Sequence, residues 1–241
     1  NFNLNKIGIL VVAYNAESTI EKTLSRIPVF FSSKIHSILI SDDASKDATH
    51  DAALKFAKIS NLPIKVVYQK NNLGYGGNQK FGYQWAIDQN WDYVILLHAD
   101  GQYAPEHIEE IINPLLKNEA DAVFGSRMIN KKSALKGGMP IYKWIGNQIL
   151  TKIQNYLTNQ NFSEWHSGYR AYRVATLRSI ELGKLSNGFR FDTQIILEVL
   201  KINGRIKEVA IPTFYGDEVS HVNGILYASE IIWDTLKYKL R

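Results

Sequence analysis

Apolar runs and segments with helical spacing alternate through the first half of the chain. Ile7–Ala13 (IGILVVA), Ser37–Ser41 (SILIS), Ile64–Tyr68, Asp92–Leu97 and Ala122–Gly125 read as buried strands. Between them, Glu17–Ile27, Asp47–Ile59 and Gly77–Asp88 read as helices, and a further helix begins at Pro105 and bends near Pro114. This alternation predicts an α/β fold, a mostly parallel central sheet with helices on both faces. The second half has a different pattern. Ile141–Thr158 is one amphipathic helix: Ile141, Ile145, Ile149, Ile153 and Leu157 form an i, i+4 stripe widened by Leu150 and Tyr156. Lys143, Asn147, Gln154 and Thr158 lie on its other side, and Tyr142 and Trp144 flank the start of the stripe. Such a helix either packs on the sheet or lies in a bilayer interface. Asp192–Asn203 reads as a helix stopped by Gly204, Ile206–Phe214 as a strand, and Ile225–Leu240 as a last helix carrying Lys237, Lys239 and Arg241. No internal repeat or linker interrupts the chain, so one domain over 1–241 is expected.

The polar residues collect where the strands end: Tyr14-Asn15, Asp42-Asp43, His98 with Asp100, and Ser126-Arg127. In parallel sheets, ligands bind beyond the carboxyl ends of the strands. The sharpest of these ends is DYVILLHADGQYAPE, Asp92–Glu106. His98 and Asp100 are two apart and share a face of a strand, so an imidazole and a carboxylate can hold one divalent cation. That cation suggests a phosphorylated substrate. A strand-to-helix turn with a capping Asp is the plainer reading of the same residues.

Composition adds little. The 241 residues are 45% hydrophobic, with net charge +5, which suits anionic ligands or a phosphate-rich membrane surface. No block of Lys/Arg interleaved with aromatics appears, so no nucleic-acid partner is expected. The absence of cysteine excludes disulfides and thiolate metal sites and is compatible with a reducing compartment. No apolar run approaches the roughly 18 residues of a spanning helix, and NFNLNK is not a signal peptide. A cytoplasmic protein, peripheral on a membrane face, is the expectation.

The ordered motifs resemble the family 2 glycosyltransferases, inverting enzymes of the A-type nucleotide-diphospho-sugar fold. They look most like the branch of dolichol-phosphate mannose synthase and other polyprenyl-phosphate glycosyltransferases. VVAYNAESTI matches the loop that touches the nucleotide, which implies roles for Ala13, Tyr14, Asn15 and Glu17; the Glu that often follows Asn is displaced by Ala16. SDDASKDAT, containing Ser41, Asp42 and Asp43, resembles Asp-Asp-Gly-Ser-x-Asp-x-Thr. The resemblance implies that Asp43, ahead of Asp42, accepts from a base N–H, with Asp47 a helix cap. NLGYGGNQKFGYQWA is a glycine-rich turn expected to border the nucleotide, with Asn72 and Gly74 nearest and N–H groups pointing outward. In HADGQ, Asp100 and Gln102 match while His98 replaces the first Asp of Asp-x-Asp; Ala99 lies between. Imidazole at that position favours Mn²⁺ over Mg²⁺; alternatively His98 touches the diphosphate.

FGSRM places Arg127 where the family neutralises the departing diphosphate. EWHSGYRAY resembles the segment that faces the acceptor, with Glu164 at an Asp position and His166, Ser167 and Gly168 along the channel. For a hydroxyl acceptor Glu164 is the leading general base, whereas a phosphate acceptor needs none. Near the C-terminus the family has a basic loop; here Ser220 matches, Tyr215 and His221 replace its cations, and Asp217-Glu218 add negative charge. His221 is the expected last metal ligand, beside Asp100, His98 and Gln102.

The resemblance therefore implies a nucleotide-sugar half over 1–128 and an acceptor half over 129–241. The expected reaction is inverting transfer of a hexose from a nucleotide-diphospho-sugar to a polyprenyl (isoprenoid) phosphate at a membrane surface, with Asp100, Arg127 and Glu164 as the catalytic candidates. Transfer to a glycan hydroxyl and a non-catalytic nucleotide-sugar-binding module are the alternatives. The base and sugar of the donor are open.

Overall fold

A computed structural model of the chain describes residues 5–215 and 223–240. Its strands are β1 (Ile7–Ala13), β2 (Ile35–Asp42), β3 (Ile64–Tyr68), β4 (Tyr93–His98), β5 (Ala122–Ser126), β6 (Arg170–Arg173) and β7 (Ile206–Ala210). Its helices are α1 (Ile20–Ser25), α2 (Val29–Ser32), α3 (Thr49–Ile59), α4 (Tyr75–Asp88), α5 (Ile108–Leu116), α6 (Lys131–Lys136), α7 (Ile141–Thr158), α8 (Val174–Arg178), α9 (Phe191–Lys201) and α10 (Gly224–Lys239).

The strands form one sheet in the order β3-β2-β1-β4-β6-β5-β7. Neighbours are parallel except at β6, which runs antiparallel to both β4 and β5. Residues of the acceptor half thus complete the sheet that the first half begins. The mostly parallel α/β sheet is as expected from the sequence.

Strand alternation sorts the core into two layers. Ile9, Val11, Ile38, Ile40, Ile95 and Leu97 face one side, against Ile20, Leu24, Ile108, Ile111 and Ile112 of α1 and α5. Leu10, Leu39, Val94 and Leu96 face the other, against Tyr83 and Ala86 of α4 and Ile195, Ile196 and Val199 of α9. Because both faces are covered, these strands are continuously apolar, and β4 is buried along its whole length. Gly82 lets α4 lie on β1: a Cβ there would fall 2.2 Å from Leu10.

Several boundaries differ from the sequence reading. The first helix starts at Ile20 rather than Glu17, since 14–19 form the rim loop. Pro105 opens a 3₁₀ turn, Pro105–His107, before α5, and Pro114 falls in the last turn of α5. The last strand stops at Ala210 rather than Phe214. β6, α2, α6 and α8 were not anticipated; β6 is four residues long with arginine at both ends, so it carries no apolar run.

The largest difference concerns α7. Its bounds are as expected, but its buried residues are Asn147, Thr151, Gln154 and Thr158. Ile141, Tyr142, Ile145, Ile149 and Tyr156 are exposed. The polar side of the helix faces inward, and of the stripe only Leu150, Ile153 and Leu157 are half-buried.

Candidate active site

Strands β1, β2, β4 and β5 all end on one rim, so Tyr14, Asp42-Asp43, His98/Asp100 and Arg127 share that edge. At the β1–β2 end, the two loops are stitched together. Asn15, in the left-handed region at φ 48°, donates its N–H to Ser45 Oγ at 2.8 Å and accepts from Lys46 N at 2.9 Å. Glu17 accepts from Ala48 N at 3.2 Å. Asp47 lies one residue before the N-cap position of α3, Ala48, and accepts from the first helical N–H, Thr49 N, at 3.0 Å. Its carboxyl is held below the usual range: burial pushes it up, but the Thr49 hydroxyl and nearby N–H groups outweigh that. Tyr14 stands out of this lattice, 48% exposed.

Ser41 is fully buried and locked to α4: Ser41 Oγ bonds Asn78 Oδ1 at 2.5 Å, and Asn78 donates back to Ser41 O at 3.0 Å. Asp42 is also fully buried; its Oδ1 accepts from Ser45 N at 3.0 Å. Asp43, whose N–H is anchored on Ala13 O at 2.9 Å, accepts from Leu73 N at 2.6 Å and Gly74 N at 3.1 Å. Burial raises the Asp43 pKa, against the lowering effect of those two N–H groups, with Asp42 adding to the rise. Each Asp43 oxygen thus receives one backbone N–H and has capacity for a second donor.

The glycine-rich turn is a correction. Its N–H groups do not point outward. Gly76 N and Gly77 N both donate to Asn187 O, at 2.7 and 3.2 Å. Asn72 donates to Asp43 O at 3.1 Å and accepts from Gly74 N at 3.0 Å. A Cβ at Gly76 would lie 2.5 Å from Ser186 O. The glycines admit segment 186–191 of the chain itself.

Next along the rim, His98 ends β4 and is buried. Its Nε2 lies 3.2 Å from Gly168 O. A carbonyl only accepts, so Nε2 carries a proton and Nδ1 is the nitrogen left to face a ligand. A ring oriented through one nitrogen on a backbone carbonyl is the arrangement of metal-ligating histidines. The half-buried Asp100 follows, with Oδ1 accepting from Gln102 N at 3.0 Å. Ala99 is buried, its carbonyl accepting from Thr23 Oγ1 at 3.1 Å. Among the described residues no group of three or more His, Cys, Asp or Glu is placed to hold a metal ion. His221, with Asp217, Glu218 and Ser220, lies outside the described residues.

Arg127 and Glu164 form the charged centre of the site. Glu164 is 2% exposed. Its Oε2 accepts from Arg127 N at 2.8 Å; its Oε1 accepts from Arg127 Nε at 3.0 Å, from Arg127 Nη2, and from Asn147 Nδ2 at 2.8 Å. Burial pushes the Glu164 carboxyl up, but Arg127 more than reverses this and holds it below the ordinary range. Burial lowers the Arg127 pKa, but Glu164 together with Tyr103 and Tyr215 raises it well above its ordinary value. Both stay charged at neutral pH. Arg127 Nη1 also donates to Tyr215 Oη at 3.2 Å. Lys143 Nζ lies 5.2 Å from the Tyr215 ring centroid, on the helix with the exposed apolar stripe.

The segment Glu164–Tyr172 adjoins this pair. Gly168 N donates to Tyr103 Oη at 2.8 Å, and a Cβ on Gly168 would meet His98 Nε2 at 2.8 Å and Tyr75 Oη at 3.1 Å. Ser167 is buried, with Oγ accepting from Tyr169 N at 3.3 Å. His166 Nδ1 bonds Tyr227 Oη of α10 at 3.0 Å, and its buried Nε2 has no partner. Burial lowers the His166 pKa to about 4, so its ring is neutral. Buried Arg170 holds the segment from behind, donating to Ser167 O, Asp192 O and Trp165 O at 2.9, 2.7 and 3.1 Å.

The structure thus brings His98, Gly168, Arg127 and Glu164 together, while Ser41, Asn15 and Glu17 spend their side chains on the scaffold. The sequence reading gave no role to Tyr75, Tyr103, Asp192 or Asn147. Tyr75 donates to Asp192 Oδ2 at 2.7 Å and lies with its ring centroid 5.8 Å from that of His98. Tyr75 and Tyr103 sat inside the quoted motifs, but nothing in a motif says which way a phenol turns.

Residues 8–180 match the model of Glycosyl transferase family 2, and the chain belongs to that family. It is 28% identical over 213 residues to an undecaprenyl-phosphate mannosyltransferase of Micrococcus luteus, covering 86% of this chain and 82% of the relative. It is 25% identical over 246 residues to a UDP-N-acetylglucosamine–dolichyl-phosphate N-acetylglucosaminyltransferase of Methanococcus voltae, covering 97% of this chain and 96% of the other. A glucosyl-3-phosphoglycerate synthase from Mycobacterium tuberculosis, solved with Mn²⁺, uridine diphosphate and phosphoglyceric acid, superposes with a TM-score of 0.72. That match covers 98% of this chain and 78% of the other at 15% identity, a likeness of fold.

Proposed function

We propose that the protein transfers a hexosyl group, with inversion, from a nucleotide-diphospho-sugar to a polyprenyl phosphate. The observation that carries this reading is the condition of Glu164. It is the carboxylate placed to serve as base for a hydroxyl, and its oxygens are already engaged by Arg127 and Asn147. A nucleophile that arrives ionised needs no base. An acceptor phosphate oxygen attacks the anomeric carbon. The bond to the diphosphate breaks on the opposite face, the electron pair leaves with the nucleoside diphosphate, and no proton moves. Arg127 meets the charge that develops there. The names of the relatives from Micrococcus luteus and Methanococcus voltae support the same acceptor class.

The nucleotide lies along Tyr14, Asp43 and the ends of β1 and β2. Asp100, His98 through Nδ1, and Gln102 would hold a divalent cation, with His221 as a further candidate. Such a cation supplies charge neutralisation on the diphosphate. An imidazole in the donor set favours Mn²⁺ over Mg²⁺. Lys143, at 5.2 Å from the Tyr215 ring, supplies a cation for the acceptor phosphate in place of the expected basic loop.

No helix among the described residues is long and apolar enough to cross a membrane. The exposed Ile141, Tyr142, Ile145 and Ile149 of α7, with Ile225, Leu226 and Trp233 of α10, instead suit a seat on the bilayer face where the lipid acceptor is presented, the peripheral placement expected from the sequence. The 1–241 chain acts in this reading as one domain, since both halves build the sheet and the site.

The test is transfer from a panel of nucleotide sugars with Mn²⁺ or Mg²⁺ to three acceptors: a short-chain polyprenyl phosphate, the corresponding polyprenol, and oligosaccharides. Product on the phosphate alone is the expected result. Product on a free hydroxyl in preference to the phosphate would overturn the reading.

A further inference from the structure

Asn147 lies on the inner face of α7, 9% exposed. Its amide N–H donates to Glu164 Oε1 at 2.8 Å, and Thr151, one turn on, donates to Asn147 Oδ1 at 3.3 Å and fixes which way the amide faces. Glu164 in turn receives the backbone N–H of Arg127 at 2.8 Å and its Nε at 3.0 Å. A short chain of bonds therefore runs from α7 to the guanidinium. Ile145 and Ile149, two residues either side of Asn147, lie about 200° around the helix, and both are exposed. The residue that grips the charged centre and the residues that face outward sit back to back on one rigid element.

We propose that Asn147 is a positioning residue: it holds Glu164 so that Arg127 is aimed at the departing diphosphate, and it ties that aim to the seating of α7. This rests on the leaving-group role given to Arg127 above. The physical case is geometric. Without the amide, Glu164 Oε1 loses the one donor among the described residues that does not come from Arg127, and the pair is free to turn as a unit. Electrostatic stabilisation of a transition state is sensitive to displacements of about 1 Å. Asn147→Asp is worse than simple loss, since it sets a second carboxylate against a buried one.

The test is a double-mutant cycle on the full chain, with a nucleotide sugar and a short-chain polyprenyl phosphate. Asn147→Ala is expected to lower kcat about 10- to 100-fold with donor KM changed less than about two-fold. Added to Glu164→Gln, it is expected to cost almost nothing more, because both act on one link. Asn147→Asp falls below Asn147→Ala. Thr151→Val, which frees the amide without removing it, gives a smaller kcat loss in the same direction and serves if Asn147→Ala does not fold. Additive effects of Asn147→Ala and Glu164→Gln, or a lowered melting point with unchanged kcat, would overturn the link. Arg127→Lys separates the two layers: unchanged kcat there strikes the leaving-group reading itself, whereas an impaired Arg127→Lys beside an additive pair strikes only the role of Asn147.

Discussion

On α5, Ile108, Ile111, Ile112 and Leu115 face the sheet and are fully buried. On α7, Asn147, Thr151, Gln154 and Thr158 face inward, and Ile141, Ile145 and Ile149 face out. Both helices are amphipathic, yet they are mounted in opposite senses. The helix on the sheet follows the rule for a protein surrounded by water. The α7–α10 pair leaves large apolar side chains exposed instead, as the proposed seat on a bilayer face requires. Periodicity alone establishes that a helix has two faces; only its surroundings establish which face is hidden.

The contrast is sharpest if one residue from each region is removed. Leu96→Ala, in the fully buried β4, is expected to cost about 2–5 kcal/mol of stability. Ile149→Ser, on α7, is expected to change stability by less than about 0.5 kcal/mol, as for an exposed position. Denaturant unfolding without lipid measures both. Cosedimentation with vesicles carrying anionic lipid reverses the order: Ile149→Ser weakens retention about ten-fold, the effect of losing about 1.4 kcal/mol of buried side chain, and Leu96→Ala leaves it unchanged. A loss above about 1 kcal/mol for Ile149→Ser in the absence of lipid would mean that the stripe is packed after all.

His166 marks the seam between the two regions, since it reaches from the acceptor segment to Tyr227 of α10. Burial lowers its pKa to about 4, against about 6.5 in an unfolded chain. Below pH 6.5 the unfolded chain takes up a proton that the folded protein refuses. The stability present above pH 6.5 is therefore lost as pH falls towards 4, by about 3 kcal/mol in all. Unfolding midpoints measured across that window are expected to show the slope in the wild type and to lack it in His166→Phe. Transfer rates are expected to show no inflection from His166 between pH 5 and 8. An equal slope in both proteins would mean that the ring is wet and the seam open.

The sequence reading succeeded where one physical rule acted alone. The continuous apolar runs of β1 and β4 are dictated by burial on both faces, and the strand ends followed from them. The rim positions of Tyr14, Asp43, Asp100 and Arg127 then came from topology. It did less well where a side chain had two plausible employers. Gly76 and Gly77 read as a ligand cradle, yet their N–H groups are taken by Asn187, more than a hundred residues away in sequence. Glu164 read as a candidate base, and Arg127 and Asn147 occupy it. β6 was not foreseen because Arg170 and Arg173 bracket it, and a buried guanidinium satisfied by three backbone carbonyls leaves no trace in hydropathy. Long-range partners decide such cases, and spacing does not encode them.

The smallest effect tests the interior of the α7–α10 pair. Gln154 is fully buried, its Oε1 has no partner, and its Nε2 reaches Thr193 and Thr235 only at 3.5 and 3.4 Å. A buried amide so weakly satisfied contributes little to stability, and its carbonyl carries an uncompensated desolvation cost. Gln154→Leu, close in volume, is therefore expected to leave stability unchanged or raise it by about 1 kcal/mol. Denaturant midpoints decide the matter. A loss of more than about 1 kcal/mol would show that Gln154 is firmly bonded, and that the polar side of α7 is a specified interface rather than the side left over when the apolar residues turn outward.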